Sequence, residues 1–201
     1  MTPEKITLAM TGASGAEYTL RLFECCLQKN IQVQFITSQP GQIVLGMETE
    51  LKLSGSPQKM QQKLADYFNA DPALISVYSK DQWTAPPASG SSVADAMVVC
   101  PCSMGSLASI AVGSSENLIH RAADVIIKEG RSLILVPRET PFSSIHLENM
   151  LKLSRLGVVI LPPNPGFYHG ADSVAELVDF IVARILDQLG IDNDLSPRWG
   201  E

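Results

Sequence analysis

The chain is constrained most by a rhythm. Short, largely apolar runs at residues 5–10, 31–37, 75–79, 96–100, 132–136 and 158–161 alternate with segments of helical spacing. The helical segments are 16–29, 41–51, a short piece within 52–71, 103–112, 122–128, 144–156, and a last one opening at Ser173. A strand with one wet face alternates apolar and polar residues; a strand covered on both faces reads as a nearly continuous apolar run. Continuous runs separated by helices therefore predict a mainly parallel sheet between two helical layers, a three-layer α/β/α, Rossmann-like α/β fold. Ligands of such sheets bind beyond the carboxyl ends of the strands. The turns after the strands are where function is to be sought.

Composition narrows the field. With 201 residues, 45% of them hydrophobic, the chain suits a single domain over 1–201, ending in a polar tail from about 190. A net charge of −6 and a pI of about 5.1 argue against nucleic acid or an anionic membrane surface as partner. No apolar run reaches the roughly 18 residues that span a bilayer, and the first residues lack a secretion signal, so a cytoplasmic location is expected. Cys25, Cys26, Cys100 and Cys102 lack the spacing of a zinc knuckle. Cys100 and Cys102, two apart on a strand, are expected on one face. All four read as buried, reduced thiols, and no metal site is expected.

The turns carry a consistent reading. Gly12-Ala13-Ser14-Gly15 follows the first strand and opens a helix, where glycines admit a ligand to the backbone and the helix start favours an anion. Ser38 follows the second strand, where an NAD site would place an acid for the ribose, so NAD is disfavoured and a phosphate or flavin is allowed. Ser103-Met104-Gly105-Ser106 follows the fourth strand and Arg138-Glu139-Thr140-Pro141 the fifth. Arg121 and Lys128 lie two helical turns apart on one face, and with Arg138 they offer several positive charges to one phosphate. Phe167, Tyr168 and His169 stand behind a proline-rich turn, where aromatic residues can wall a pocket. Ser173 with Glu176 predicts a capping box.

On residues alone the chain is an α/β domain for a phosphorylated ligand. Six segments in order carry a more specific resemblance: Gly12-Ala13-Ser14-Gly15-Ala16, Arg121-Ala122-Ala123-Asp124-Val125, Val136-Pro137-Arg138-Glu139-Thr140-Pro141, His146-Leu147-Glu148-Asn149-Met150, Pro165-Gly166-Phe167-Tyr168-His169 and Pro197-Arg198-Trp199-Gly200. Together they resemble the UbiX-type flavin prenyltransferases over nearly the whole chain. The resemblance implies transfer of a dimethylallyl group from dimethylallyl monophosphate to N5 and C6 of reduced FMN. The prenylated FMN so made serves a UbiD-type decarboxylase, and the older name of aromatic-acid decarboxylase belongs to that partner's activity. It further implies a homo-oligomer, commonly a dodecamer.

The same resemblance implies site residues. Gly12, Ala13, Ser14, Ser38, Ser103, Met104, Gly105, Ser106 and Arg138 match FMN contacts. Arg121, Lys128, Tyr168 and Arg184 match prenyl-phosphate contacts, while Trp83 and Trp199 fall at the prenyl site and its mouth. Ser14, Glu48 and Glu139 fall near the reacting centre. Gly41 stands where the family often has Ala, a departure expected to have little effect. The chemistry suits these residue types: Arg and Lys stabilise a departing phosphate, an aromatic face a developing allylic cation, and a carboxylate takes up protons. The chain lacks the paired Asp-rich motif that would hold magnesium in a diphosphate prenyltransferase. Two alternatives are a peptidyl-cysteine decarboxylase of the related fold and a non-catalytic FMN-binding subunit.

Overall fold

The computed structural model describes residues 2–168, 170–198 and 200. Its strands are β1 Lys5–Met10, β2 Gln32–Thr37, β3 Ile75–Tyr78, β4 Ala96–Cys102, β5 Ser132–Pro137 and β6 Val159–Ile160. They form one parallel sheet in the order β3-β2-β1-β4-β5-β6. The helices are α1 Ala16–Gln28, α2 Gln39–Glu48, α3 Pro57–Phe68, α4 Met104–Ala111, α5 Leu118–Lys128, α6 Ser144–Arg155 and α7 Val174–Leu189. The order reverses between β1 and β4, the switch point at which doubly wound sheets open a crevice.

Both faces of the sheet are covered, as the continuous runs require. Ile6, Leu8 and Met10 of β1 point into one core with Phe23 of α1, Leu45 of α2, Leu64 of α3 and Ile185 of α7. Ala9 and its neighbours Met97, Val99, Leu133 and Leu135 point into the other, under α4, α5 and α6. Burying an aliphatic side chain of this kind contributes roughly 1.5–3 kcal/mol, so truncating the fully buried Ile185 costs about 2–5 kcal/mol. The buried Thr7 hydroxyl donates to Gln34 Oε1 at 3.1 Å, which satisfies a polar pair inside the sheet. Arg21 of α1 binds Asp179 of α7 at 2.6 Å and Glu24 at 2.7 Å and fixes the two helices in register.

Several expectations are corrected. The β4 strand runs on to Cys102, and its pairing with β5 shifts register between Val99 and Cys102. That shift breaks the alternation: Cys100 packs in the first core and Cys102 in the second, so the two thiols face opposite ways. Helix α2 starts at Gln39 and not at residue 41, because the Ser38 side chain caps it, accepting from Gly41 N at 3.0 Å, and Pro40 suits a first turn. At the start of α7 only half of the capping box forms. The Ser173 hydroxyl accepts from Glu176 N, whereas the Glu176 carboxylate accepts from Asp172 N, one residue earlier than the box requires. A reciprocal box occurs instead at α6, between Ser143 and His146. Gly41 also proves to matter: a Cβ there would lie 2.8 Å from Met10 O and 2.9 Å from Thr37 Oγ1, leaving no room for Ala.

Candidate active site

Four of the predicted turns meet at the carboxyl edge. The turn after β1 is sharp, with Gly15 at φ 126°, a conformation that side chains rarely adopt. Its amides do not await a ligand. Glu48, the last residue of α2, places Oε2 at 2.9 Å from Gly15 N and 2.8 Å from Ala16 N, and the Ser14 hydroxyl bonds to it as well. The anion at the start of α1 is thus the protein's own. Burial pushes the Glu48 carboxyl up, but the Ser14 hydroxyl, the Ala16 and Gly15 amides and the Arg138 charge together hold it below its ordinary 4.5. Sequence reasoning placed Glu48 near the reacting centre through resemblance alone; its role as the cap of α1 joins segments 33 residues apart and leaves no local signal.

Across the switch point, Ser103 begins α4. Its hydroxyl donates to Ser106 Oγ at 3.1 Å and accepts from Ser106 N at 3.4 Å. The Met104 side chain is buried in the second core, so only its backbone faces the crevice. Gly105 is exposed, and a Cβ there would meet nothing within 4 Å. Arg138 lies beside Cys102, to whose carbonyl its amide donates at 3.3 Å; its side chain is exposed and its charge reaches Glu48. Glu139 is half-buried and accepts from Thr140 N at 3.2 Å. Ser38 spends its hydroxyl on capping α2. Ala13 is buried and Gly12 abuts Pro40, so this turn is packed as well as exposed.

Of the predicted donor-phosphate residues, Lys128 is not gathered with these. Lys128 ends α5, just before β5 begins, whereas Arg138 follows the last residue of β5. A six-residue strand separates them, about 20 Å at 3.3 Å per residue. One chain therefore does not bring Arg121, Lys128 and Arg138 to one phosphate, contrary to the expectation from spacing. Arg121 donates to Ala88 O at 3.1 Å and pairs with Asp124 at 2.7 Å, and Lys128 pairs with Glu129. Tyr168 and Arg184 do meet, in a cavity of about 410 Å³ along α7 that Phe180, Asp187, Ser196 and Arg198 also line. Arg184 pairs there with Asp187 at 2.6 Å. Trp83, 48% exposed, stands in the loop after β3. Trp199 and His169 lie outside the described residues. Among the described residues no three His, Cys, Asp or Glu side chains gather as a metal site.

The profile of the Flavoprotein family matches residues 1–186. Flavin prenyltransferase UbiX of Pseudomonas aeruginosa is 59% identical over 99% of this chain and 95% of its own length. The chain belongs to the UbiX family. Among solved structures, UbiX-like AnUbiX (PadA1), in complex with FMN and dimethylallyl pyrophosphate, covers 98% of each chain at 38% identity and a TM-score of 0.88. A dodecameric FMN-dependent UbiX-like decarboxylase from Escherichia coli O157:H7 covers 98% of this chain and all of its own, at 38% identity and a TM-score of 0.87. Both share the fold described above. In this UbiX-family chain, no helix among the described residues is long and apolar enough to cross a membrane.

Proposed function

We propose that this chain is a flavin prenyltransferase, which moves the dimethylallyl group of dimethylallyl monophosphate to N5 and C6 of reduced FMN. The observation that carries the reading is the full-length identity of 59% to a UbiX flavin prenyltransferase. The residues at the crevice fit FMN. Open space faces Gly105, hydroxyls stand at Ser14, Ser103 and Ser106, a guanidinium at Arg138, and no acid follows β2 to claim a ribose.

Reduced FMN, when bound, supplies the nucleophilic N5 and C6. The protein supplies position and charge. Arg138 and the serine hydroxyls hold the flavin at the switch point. Tyr168, Arg184, Arg121 and Lys128 hold the donor's phosphate and stabilise it as it departs. Trp83 offers its ring to the developing allylic cation. Glu139 accepts a proton released at the flavin edge, and Ser14, bonded to the Glu48 carboxylate, is held to pass one on.

The basic set closes around one phosphate only when copies of the chain adjoin, since Lys128 and Arg138 sit at opposite edges of the sheet. A homo-oligomer, as in the dodecameric E. coli relative, supplies such neighbours. Exposed Ile145, Leu147 and Leu151 on α6 give it an apolar surface to bury. The prenylated flavin then passes to a UbiD-type decarboxylase.

Anaerobic incubation with reduced FMN and dimethylallyl monophosphate, followed by mass analysis, tests the reading. A flavin carrying one dimethylallyl unit is expected. Unchanged flavin with this donor and with the pyrophosphate would overturn it.

A further inference from the structure

Two buried threonines act on consecutive carbonyls at the end of β4. Thr19 of α1 and Thr11, the residue after β1, are each 1% exposed. The Thr19 hydroxyl donates to Cys100 O at 2.5 Å, and the Thr11 hydroxyl donates to Pro101 O at 2.9 Å. Thr11 alone does more. Its oxygen accepts from Ser103 N at 2.8 Å, and its own amide donates to Pro101 O at 3.2 Å. A hydroxyl has one proton to give, so the donation to Pro101 leaves a lone pair aimed at Ser103. The turn after β1 and the turn after β4, segments 92 residues apart, are thereby joined through a single side chain.

We infer that Thr11 is a positioning residue for the flavin, setting the spacing between the Gly12–Gly15 and Ser103–Ser106 turns on either side of the switch point. The inference rests on the reading that these two turns hold FMN. Thr11 touches neither flavin nor donor; it acts through Ser103, whose amide it fixes and whose hydroxyl begins α4. Valine at this position keeps the shape, leaves Ser103 N without its acceptor, and frees the second turn to shift relative to the first. Thr19 is the internal control, equally buried and on the neighbouring carbonyl, with no bond to either turn.

The test is FMN titration of the assembled protein, alongside denaturant unfolding without FMN. Thr11→Val is expected to weaken FMN binding about tenfold, the effect of one lost hydrogen bond to a buried donor. Thr11→Ser, which restores the hydroxyl, is expected to stay within about twofold of the parent. Thr19→Val should lower stability much as Thr11→Val does and leave FMN affinity within about twofold. Parental affinity in Thr11→Val, or equal weakening in Thr19→Val, would overturn the inference. Failure of the parent to bind FMN would instead remove the reading of the turns. If Thr11→Val does not fold, amide exchange of the parent without FMN decides. Slow exchange at Ser103 supports the anchor, and exchange as fast as at Gly105 refutes it.

Discussion

The switch-point crevice and the basic set differ in how their residues are held. At the crevice, the bonds join distant segments: Glu48 to Gly15 and Ala16, Thr11 to Ser103, Arg138 N to Cys102 O. The charges of the basic residues are paired with near neighbours, Arg121 with Asp124, Arg184 with Asp187 and Lys128 with Glu129; only Arg121 reaches further, to Ala88 O. Exposed pairs of that kind contribute only about 0–1 kcal/mol. A basic residue can thus leave its carboxylate for a phosphate at little cost. On the proposed reading, the flavin side of the site is built into the fold of one chain, and the donor side is held by weaker, local ion pairs.

Removing an acid should break the comparison most sharply. Glu139→Gln keeps shape and hydrogen bonding and removes the proton acceptor, so turnover should fall about 10²–10⁴-fold with FMN and donor binding near parental. Glu48→Gln should also slow turnover or stall it at the N5-linked adduct. Single-turnover kinetics with mass detection checks both, and parental rates in both variants would remove the catalytic assignment.

Next in size are the basic residues. Arg121→Ala and Arg184→Ala should each raise the donor KM by roughly 1.5–3 kcal/mol, about ten- to hundredfold. Their stability should change by less than about 0.5 kcal/mol. A large loss of stability measured by denaturant would mean that these side chains hold the fold rather than the substrate.

Gly41→Ala should do the reverse. It crowds Met10 O and Thr37 Oγ1, so overpacking should cost about 1–3 kcal/mol in urea unfolding, with FMN affinity falling as α2 moves away from the first turn. An unfolding midpoint equal to the parent's would show that α2 yields without cost.

The smallest effect concerns pH. The folded pKa of Glu48 lies below its ordinary 4.5. The ionised form therefore favours the fold: its contribution is complete above that ordinary value and is lost as pH falls through the lowered folded one. Glu48 is largely exposed, so the contribution is at most about 1 kcal/mol. Glu48→Gln should flatten the acid limb of the stability profile below pH 4.5, and a limb as steep as the parent's would count against the cap.

Much of the fold was legible because it is written locally. The apolar runs located each strand, and Ser103 and Ser173 announced their helices through the caps they make. The failures lie where distant segments meet. Nothing near Gly41 signals that Met10 O lies against it. The alternation that placed Cys100 and Cys102 together is broken by a register shift against β5, visible only once the strands are paired. The Glu176 carboxylate satisfied a neighbouring amide, a choice between equivalent donors that spacing does not resolve. At the site, motif order brought the residues of the crevice into view. It did not reveal that one sheet separates Lys128 from Arg138.

The sheet's two outermost strands are also its shortest, β3 with four residues and β6 with two. An edge so brief gives an incoming strand few amides and carbonyls to pair with. The sheet is therefore poorly suited to lengthen by recruiting strands from another molecule. Exposed side chains on the helical layers, such as Ile145, Leu147 and Leu151 of α6, offer another copy more to hold than the ends of the sheet do.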